Sequence, residues 1–208
     1  MQRRQFATST LATAAILATT SSAWAQATAT VGQAAPNFSA KDVNGKTVSL
    51  ADFKGKTVVL EWINPGCPYV RKHYQGGNMQ GTQQEATAKN AVWLAINSTG
   101  TDHPDYLKPA DLGKWMKEQK APATHTLMDE DGKIGKAYGA RTTPHMYIVD
   151  GKGMLVYAGG IDSIPTASAS DIPKATNYIK TSLTEMASGR AVSNNVTRAY
   201  GCSVKYRS

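Results

Sequence analysis

Ala91-Val92-Trp93-Leu94-Ala95-Ile96 is apolar at six consecutive positions. A strand with one wet face alternates apolar and polar residues. An unbroken run suits a parallel central strand covered on both faces. Thr57 to Ile63, β-branched at its start, reads as a second buried strand. Such strands need helices on either side, and helical patterns do stand between them. A short helix is expected from Pro68, broken at Gln75-Gly76-Gly77-Asn78, and a weaker one from Met79 to Ala88. Pro109 to Lys120 carries Leu112, Trp115 and Met116 on one helical face. His125 to Met128 reads as a short strand and Asp131 to Tyr138 as a helical turn. Met146–Val149 and Met154–Ala158 form a hairpin across Asp150-Gly151-Lys152-Gly153. Ahead of all these, Pro36 excludes regular helix from the lead-in Val31–Phe38, and Phe38–Leu50 reads as a hairpin turning at Asn44-Gly45. Ile172, Ala175, Ile179, Leu183 and Met186 predict an amphipathic helix, with Gly189 suited to its C-terminal cap. The order is hairpin, strand, helix, strand, helix, strand, hairpin, helix. It predicts an α/β domain with a mixed central sheet flanked by helices.

Residues 1–25 have the form of a cleavable signal peptide. The start is basic, a weakly apolar Ala/Thr/Leu stretch follows, and Ala23-Trp24-Ala25 fits an A-x-A cleavage site. Arg3-Arg4-Gln5-Phe6 resembles a twin-arginine export signal, an ordinary secretory signal being the alternative. Either implies export to the periplasm. The stretch is too short and too rich in Thr and Ser for a membrane anchor. Residues 26–190 are then the folded domain, and 191–208, without helical pattern, are a C-terminal tail. Net charge is +8, of which Arg3 and Arg4 carry two; the rest is scattered, with no dense basic stripe. Nucleic acid is a poor fit as partner.

The chain has two cysteines, Cys67 and Cys202. Cys67 follows a buried strand and a Pro-Gly turn and precedes a helix start. Helix N-termini present unpaired N–H groups that favour thiolate over thiol, so Cys67 is the candidate nucleophile. Arg71, Lys72 and His73 follow within about a turn and add positive charge. The bland alternative is a small buried side chain, since free cysteines are usually buried and inert. Cys202 has three possible roles: resolving an oxidised Cys67, a permanent disulfide with it, or pairing between chains. A permanent bridge closing so long a loop would stabilise by up to roughly 5 kcal/mol, a sufficient reason for both cysteines. Tyr200, Cys202, Val204 and Tyr206 alternate as a packed extended segment would, so the tail is expected to fold back and bring Cys202 to Cys67. Arg141 and Arg71 are candidates to stabilise a thiolate or a peroxide oxyanion. The four histidines do not fall at metal-ligand spacings, so neither a metal nor a cofactor is expected. His145 is a candidate to approach Cys67 in space.

This order, with a cysteine ending the first central strand, resembles the thioredoxin fold, a three-layer α/β architecture. Ala35-Pro36-Asn37-Phe38, Asp42-Val43-Asn44-Gly45-Lys46 and Leu50-Ala51-Asp52-Phe53-Lys54-Gly55 resemble the opening of its peroxiredoxin and exported thioredoxin-like branch, which adds an N-terminal β-hairpin. Tyr138-Gly139-Ala140-Arg141-Thr142-Thr143-Pro144 resembles the cis-proline loop. Cys67-Pro68-Tyr69-Val70 and Tyr200-Gly201-Cys202-Ser203-Val204-Lys205-Tyr206 resemble a peroxiredoxin-like, thiol-specific antioxidant subgroup. The resemblance implies a cis Thr143-Pro144 bond and a groove, lined by Thr143 and Pro144, for a partner's extended backbone. Thioredoxins place a buried Asp six residues before their first cysteine, where this chain has Glu61; the resemblance implies a proton relay there. It also departs from pattern. The second position of Cys-x-x-Cys is Val70 read forward or Asn64 read backward. The peroxiredoxin Thr and Pro positions hold Asn64 and Leu60, Asn64 still being able to donate a hydrogen bond to substrate. Two functions are therefore carried forward. One is an exported thiol oxidoreductase acting on peroxide or a protein disulfide and regenerated by an external thiol. The other is a non-catalytic binding module with a structural Cys67–Cys202 disulfide.

Overall fold

A computed structural model describes residues 28–208; the expected signal peptide lies outside them. The chain opens with a hairpin of β1 (Ser39–Asp42) and β2 (Thr47–Ser49). Its turn is built by Asp42, whose Oδ1 accepts from the N–H groups of Asn44 and Lys46, and by Gly45 at φ 83°. Then come β3 (Val58–Trp62), α1 (Pro68–Gln75), α2 (Asn78–Ala88), β4 (Val92–Asn97), α3 (Pro109–Glu118), β5 (His125–Met128) and α4 (Lys133–Tyr138). The C-terminal part has β6 (Thr142–Thr143), β7 (His145–Val149), β8 (Leu155–Gly159), α5 (Tyr178–Ala187) and β9 (Cys202–Ser203).

Seven strands form one mixed sheet in the order β2-β1-β5-β4-β3-β7-β8. β4 lies between β3 and β5 and is parallel to both, as its unbroken apolar run predicts. Alternation along β3 and β4 sorts the core into two layers. Val59, Ile63, Trp93 and Ala95 face Val70, Tyr74, Met79, Leu112, Ile179 and Leu183, which come from α1, α2, α3 and α5. Val58, Leu60, Trp62, Leu94 and Ile96 face Ile134 and Tyr138 of α4, with Val48 of the hairpin at the edge. This is the thioredoxin-like three-layer fold with an N-terminal hairpin. None of its helices is long and apolar enough to cross a membrane, among the described residues.

One expected element is corrected. The amphipathic pattern predicts a continuous helix from Ile172, whereas Ala169–Lys174 is a 3₁₀ turn and α5 starts only at Tyr178. Pro173 supplies no N–H and disfavours helical backbone before it. Ala175 is extended, and Asn177 then caps α5, accepting from Ile179 and Lys180 N–H at 3.1 Å each. Gly189 follows the helix at φ 70°, as its C-terminal signal predicts.

Candidate active site

β3 runs out of the sheet into the turn Asn64-Pro65-Gly66, which closes on itself. The Cys67 N–H donates to Asn64 O at 2.9 Å, and Gly66 N–H donates to Asn64 Oδ1 at 2.7 Å. Asn64 Nδ2 donates to Asp105 Oδ2 at 3.1 Å, so both ends of this amide are engaged in shaping the turn. Arg71 Nε donates to Pro65 O at 2.7 Å and braces the same turn from α1. Cys67 is the N-cap of α1 with extended backbone, and Pro68 occupies the first helical position, where a missing N–H costs nothing.

Opposite Cys67 is the loop carrying β6. The Thr143-Pro144 peptide bond is cis. The Cys67 thiol is 2% exposed as a residue and donates to Thr143 O at 3.0 Å. β9 pairs antiparallel with β6, setting Cys202 against Thr143 and Ser203 against Thr142. The tail therefore does fold back, and it places Cys202 beside Cys67. Both cysteines are free thiols here. Their ionisation is unequal. Burial opposes the Cys67 anion, but the side chains of Cys202 and Thr143 and the backbone N–H groups of Cys202 and Val70 outweigh it, holding Cys67 below the ordinary 9.0. Burial, and then the neighbouring Cys67, push Cys202 up to about 11. One site thus holds one thiolate-prone and one thiol-prone cysteine. With Cys67 as a thiol donating to the Thr143 carbonyl, the buried Thr143 hydroxyl makes no hydrogen bond within the chain, so it stays unspent and serves Cys67 only as the anion forms.

Glu61 is fully buried in β3 beneath α1 and α2. It accepts from Trp93 Nε1 at 2.8 Å, Tyr74 Oη at 2.9 Å and Gln83 Nε2 at 3.2 Å. Burial dominates those three donors and raises its carboxyl to about 7. Arg141 is solvent-exposed and meets the tail through its carbonyl, which accepts from Val204 N–H at 3.0 Å. His145 follows the cis-proline but turns to Arg141 N–H at 3.3 Å and Tyr147 Oη at 3.2 Å, and burial lowers it to about 4. Among the described residues no three His, Cys, Asp or Glu side chains cluster to hold a metal.

Lys72 and His73 are not part of the field at Cys67. They are buried in a polar socket with Asp162 and Tyr200. Lys72 Nζ is 3.6 Å from Asp162 Oδ2 and donates to Ile164 O at 3.2 Å. Asn78 Nδ2 lies 2.8 Å from His73 Nδ1, which leaves His73 Nε2–H to donate to Tyr200 Oη at 3.1 Å. Tyr200 Oη in turn donates to Asp162. Sequence reasoning missed this socket. Asp162 and Tyr200 come from separate loops, and no spacing links either to α1.

Comparison with known proteins agrees with this geometry. The AhpC/TSA family model matches residues 31–158, which carry the hairpin, Cys67 and the cis-proline loop. The chain belongs to the AhpC/TSA family. The chain is 28% identical over 126 residues to the thiol-disulfide oxidoreductase ResA of Bacillus thuringiensis subsp. konkukian, covering 61% of this chain and 67% of ResA. It is 32% identical over 141 residues to the chloroplastic peroxiredoxin Q of Triticum aestivum, covering 61% of this chain but 57% of that relative. The AhpC/TSA stretch thus stands between two kinds of thiol oxidoreductase. An uncharacterised conserved protein of Geobacillus kaustophilus, solved by crystallography, superposes with TM-score 0.73 at 27% identity, over 86% of this chain and 93% of that one. That likeness runs past the family match.

Proposed function

We propose that this AhpC/TSA chain is an exported thiol oxidoreductase in which Cys67 attacks and Cys202 resolves. The observation that carries the reading is the pairing of β6 with β9, which puts a thiol-prone Cys202 beside a thiolate-prone Cys67. With a hydroperoxide, the Cys67 thiolate takes the terminal oxygen, the O–O bond breaks, and the alcohol or water leaves with a proton. The sulfenic acid so formed condenses with the Cys202 thiol, giving a disulfide and water. With a disulfide substrate, Cys67 forms a mixed disulfide and Cys202 displaces it. Either way an external dithiol returns the pair to the reduced state. The unspent Thr143 hydroxyl is the group offered to assist at the thiolate, and Glu61, near neutrality, is the buried proton store behind α1. The leader features at Arg3-Arg4 and Ala23-Trp24-Ala25 support export to the periplasm.

Turnover of hydrogen peroxide with dithiothreitol as reductant tests the roles. The unsubstituted protein is expected to cycle, Cys67→Ser to be inactive, and Cys202→Ser to consume one equivalent before depending on the added thiol. Equal rates for the parent and Cys67→Ser would defeat the reading.

A further inference from the structure

The end of the chain lies on a surface shaped to receive it. Thr197 packs on Gly159 and Tyr206 on Gly135, and a Cβ at either glycine would collide with the tail. Gly201 has φ 134° and presses onto the Thr143 carbonyl so closely that a Cβ there would overlap the oxygen. Hydrogen bonds continue along the tail: Thr197 N–H to Ala158 O at 3.1 Å, Gly100 N–H to Lys205 O at 2.8 Å, and Tyr206 Oη to Ala140 O at 2.7 Å. β9 thereby takes the open edge of β6 beside Cys67. A strand edge offers one row of N–H and C=O groups on a side, and a strand already paired there excludes another.

The anchor of this strand is unusual for a segment that only covers a surface. Tyr200 enters the buried Lys72–His73–Asp162 socket, stacks edge-on against Tyr69 at 5.9 Å, and has Lys72 Nζ 5.6 Å from its ring centroid. Buried charged groups are costly unless each finds a partner. Here the Tyr200 hydroxyl joins His73 to Asp162, so the socket is completed by the docked tail.

We propose that Tyr200 and Gly201 are specificity-determining residues: they hold the tail as the strand that fills the edge of β6. Cys67 then reacts with small oxidants and with Cys202, while an extended polypeptide carrying a disulfide is kept from the pairing edge. The inference rests on Cys67 being the reacting thiol. It adds that the chain's own tail decides which oxidants reach it.

The test uses the full chain with Cys202→Ser, so that Cys67 is the one thiol. Two mixed disulfides of 2-nitro-5-thiobenzoate are compared, one with 2-mercaptoethanol and one with a short extended peptide bearing a single cysteine. In each, the Cys67 thiolate attacks the aliphatic sulfur, the S–S bond breaks, and the coloured thiolate leaves with the electron pair. If the tail keeps the edge closed nine-tenths of the time or more, opening it speeds the peptide reaction by about tenfold or more. Gly201→Ala is expected to do so while changing the small reagent less than about threefold. Tyr200→Phe keeps the ring, loses the hydroxyl, and is expected to move the same ratio in the same direction by less. It also carries the test should Gly201→Ala fail to fold. An unchanged peptide-to-small ratio in both variants overturns the proposal, as does a parent that reacts equally fast with both reagents. Failure of the unsubstituted chain to form a Cys67–Cys202 disulfide with peroxide would strike the functional reading instead, and that is read in a separate reaction.

Discussion

Two cysteines in one site are useful only if they differ, and here burial raises both while hydrogen-bond donors offset it at Cys67 alone. Cys67 is buried, which by itself would keep it a thiol, yet the Cys202 and Thr143 side chains and two backbone N–H groups favour its anion. Cys202 is driven the other way, to about 11, by burial first and then by the neighbouring Cys67. Alkylation rate against pH separates them. In Cys202→Ser, which keeps a hydroxyl donor, the Cys67 midpoint is expected below the ordinary 9.0; in Cys202→Ala it is expected to rise. Coincident midpoints in the two variants would show that Cys202 does not tune Cys67. The strand-to-helix position of Cys67 was legible from its neighbours. The donors were not, because Thr143 and Cys202 reach it from the cis-proline loop and the tail. Asn64, a candidate substrate group, also shapes the turn, its Oδ1 accepting from Gly66 N–H and its Nδ2 donating to Asp105, a role its sequence neighbours did not reveal.

At the scale of elements, the segments with a single local driving force were read correctly. β4 is apolar throughout and central; the Asn44-Gly45 hairpin closes where its turn chemistry puts it; α1 starts at its proline. The α5 boundary was misread because Ile172 and Ala175 fit the apolar period, while Pro173 and the Asn177 cap set the true start. That cap is worth testing. Asn177→Ala removes bonds to two helix N–H groups and one to Thr82 Oγ1 at 2.9 Å, and is expected to cost about 1–2 kcal/mol in urea unfolding. A loss under about 0.5 kcal/mol would mean that α2 packing alone fixes the start of α5. The tail's return was foreshadowed by its alternation, but the strand pairing with β6 depends on glycines scattered from Gly135 to Gly201, which no local pattern connects.

The whole molecule carries buried ionisable groups whose effects on stability oppose one another. His73 and His145 are held to about 4 by burial, below the ordinary 6.5. Their folded values are depressed, so the stability they allow is full above pH 6.5 and is lost as pH falls toward 4. Glu61 runs the other way. Raised from 4.5 to about 7, it is tolerated best when neutral and lowers stability as pH rises through that window, by up to about 3 kcal/mol. Two histidines outweigh one glutamate between pH 6.5 and 4.5, so the urea midpoint is expected to fall on acidification. Glu61→Gln removes the opposing contribution and should fall more steeply; parallel profiles would mean that Glu61 titrates near its ordinary value. The central claim, that Cys67 attacks and Cys202 resolves within one chain, is tested most directly by peptide mapping after one equivalent of hydrogen peroxide. The expected product is a single chain with a Cys67–Cys202 disulfide that dithiothreitol reverses. Cys202 left free beside an oxidised Cys67, or joined to another chain, would contradict it.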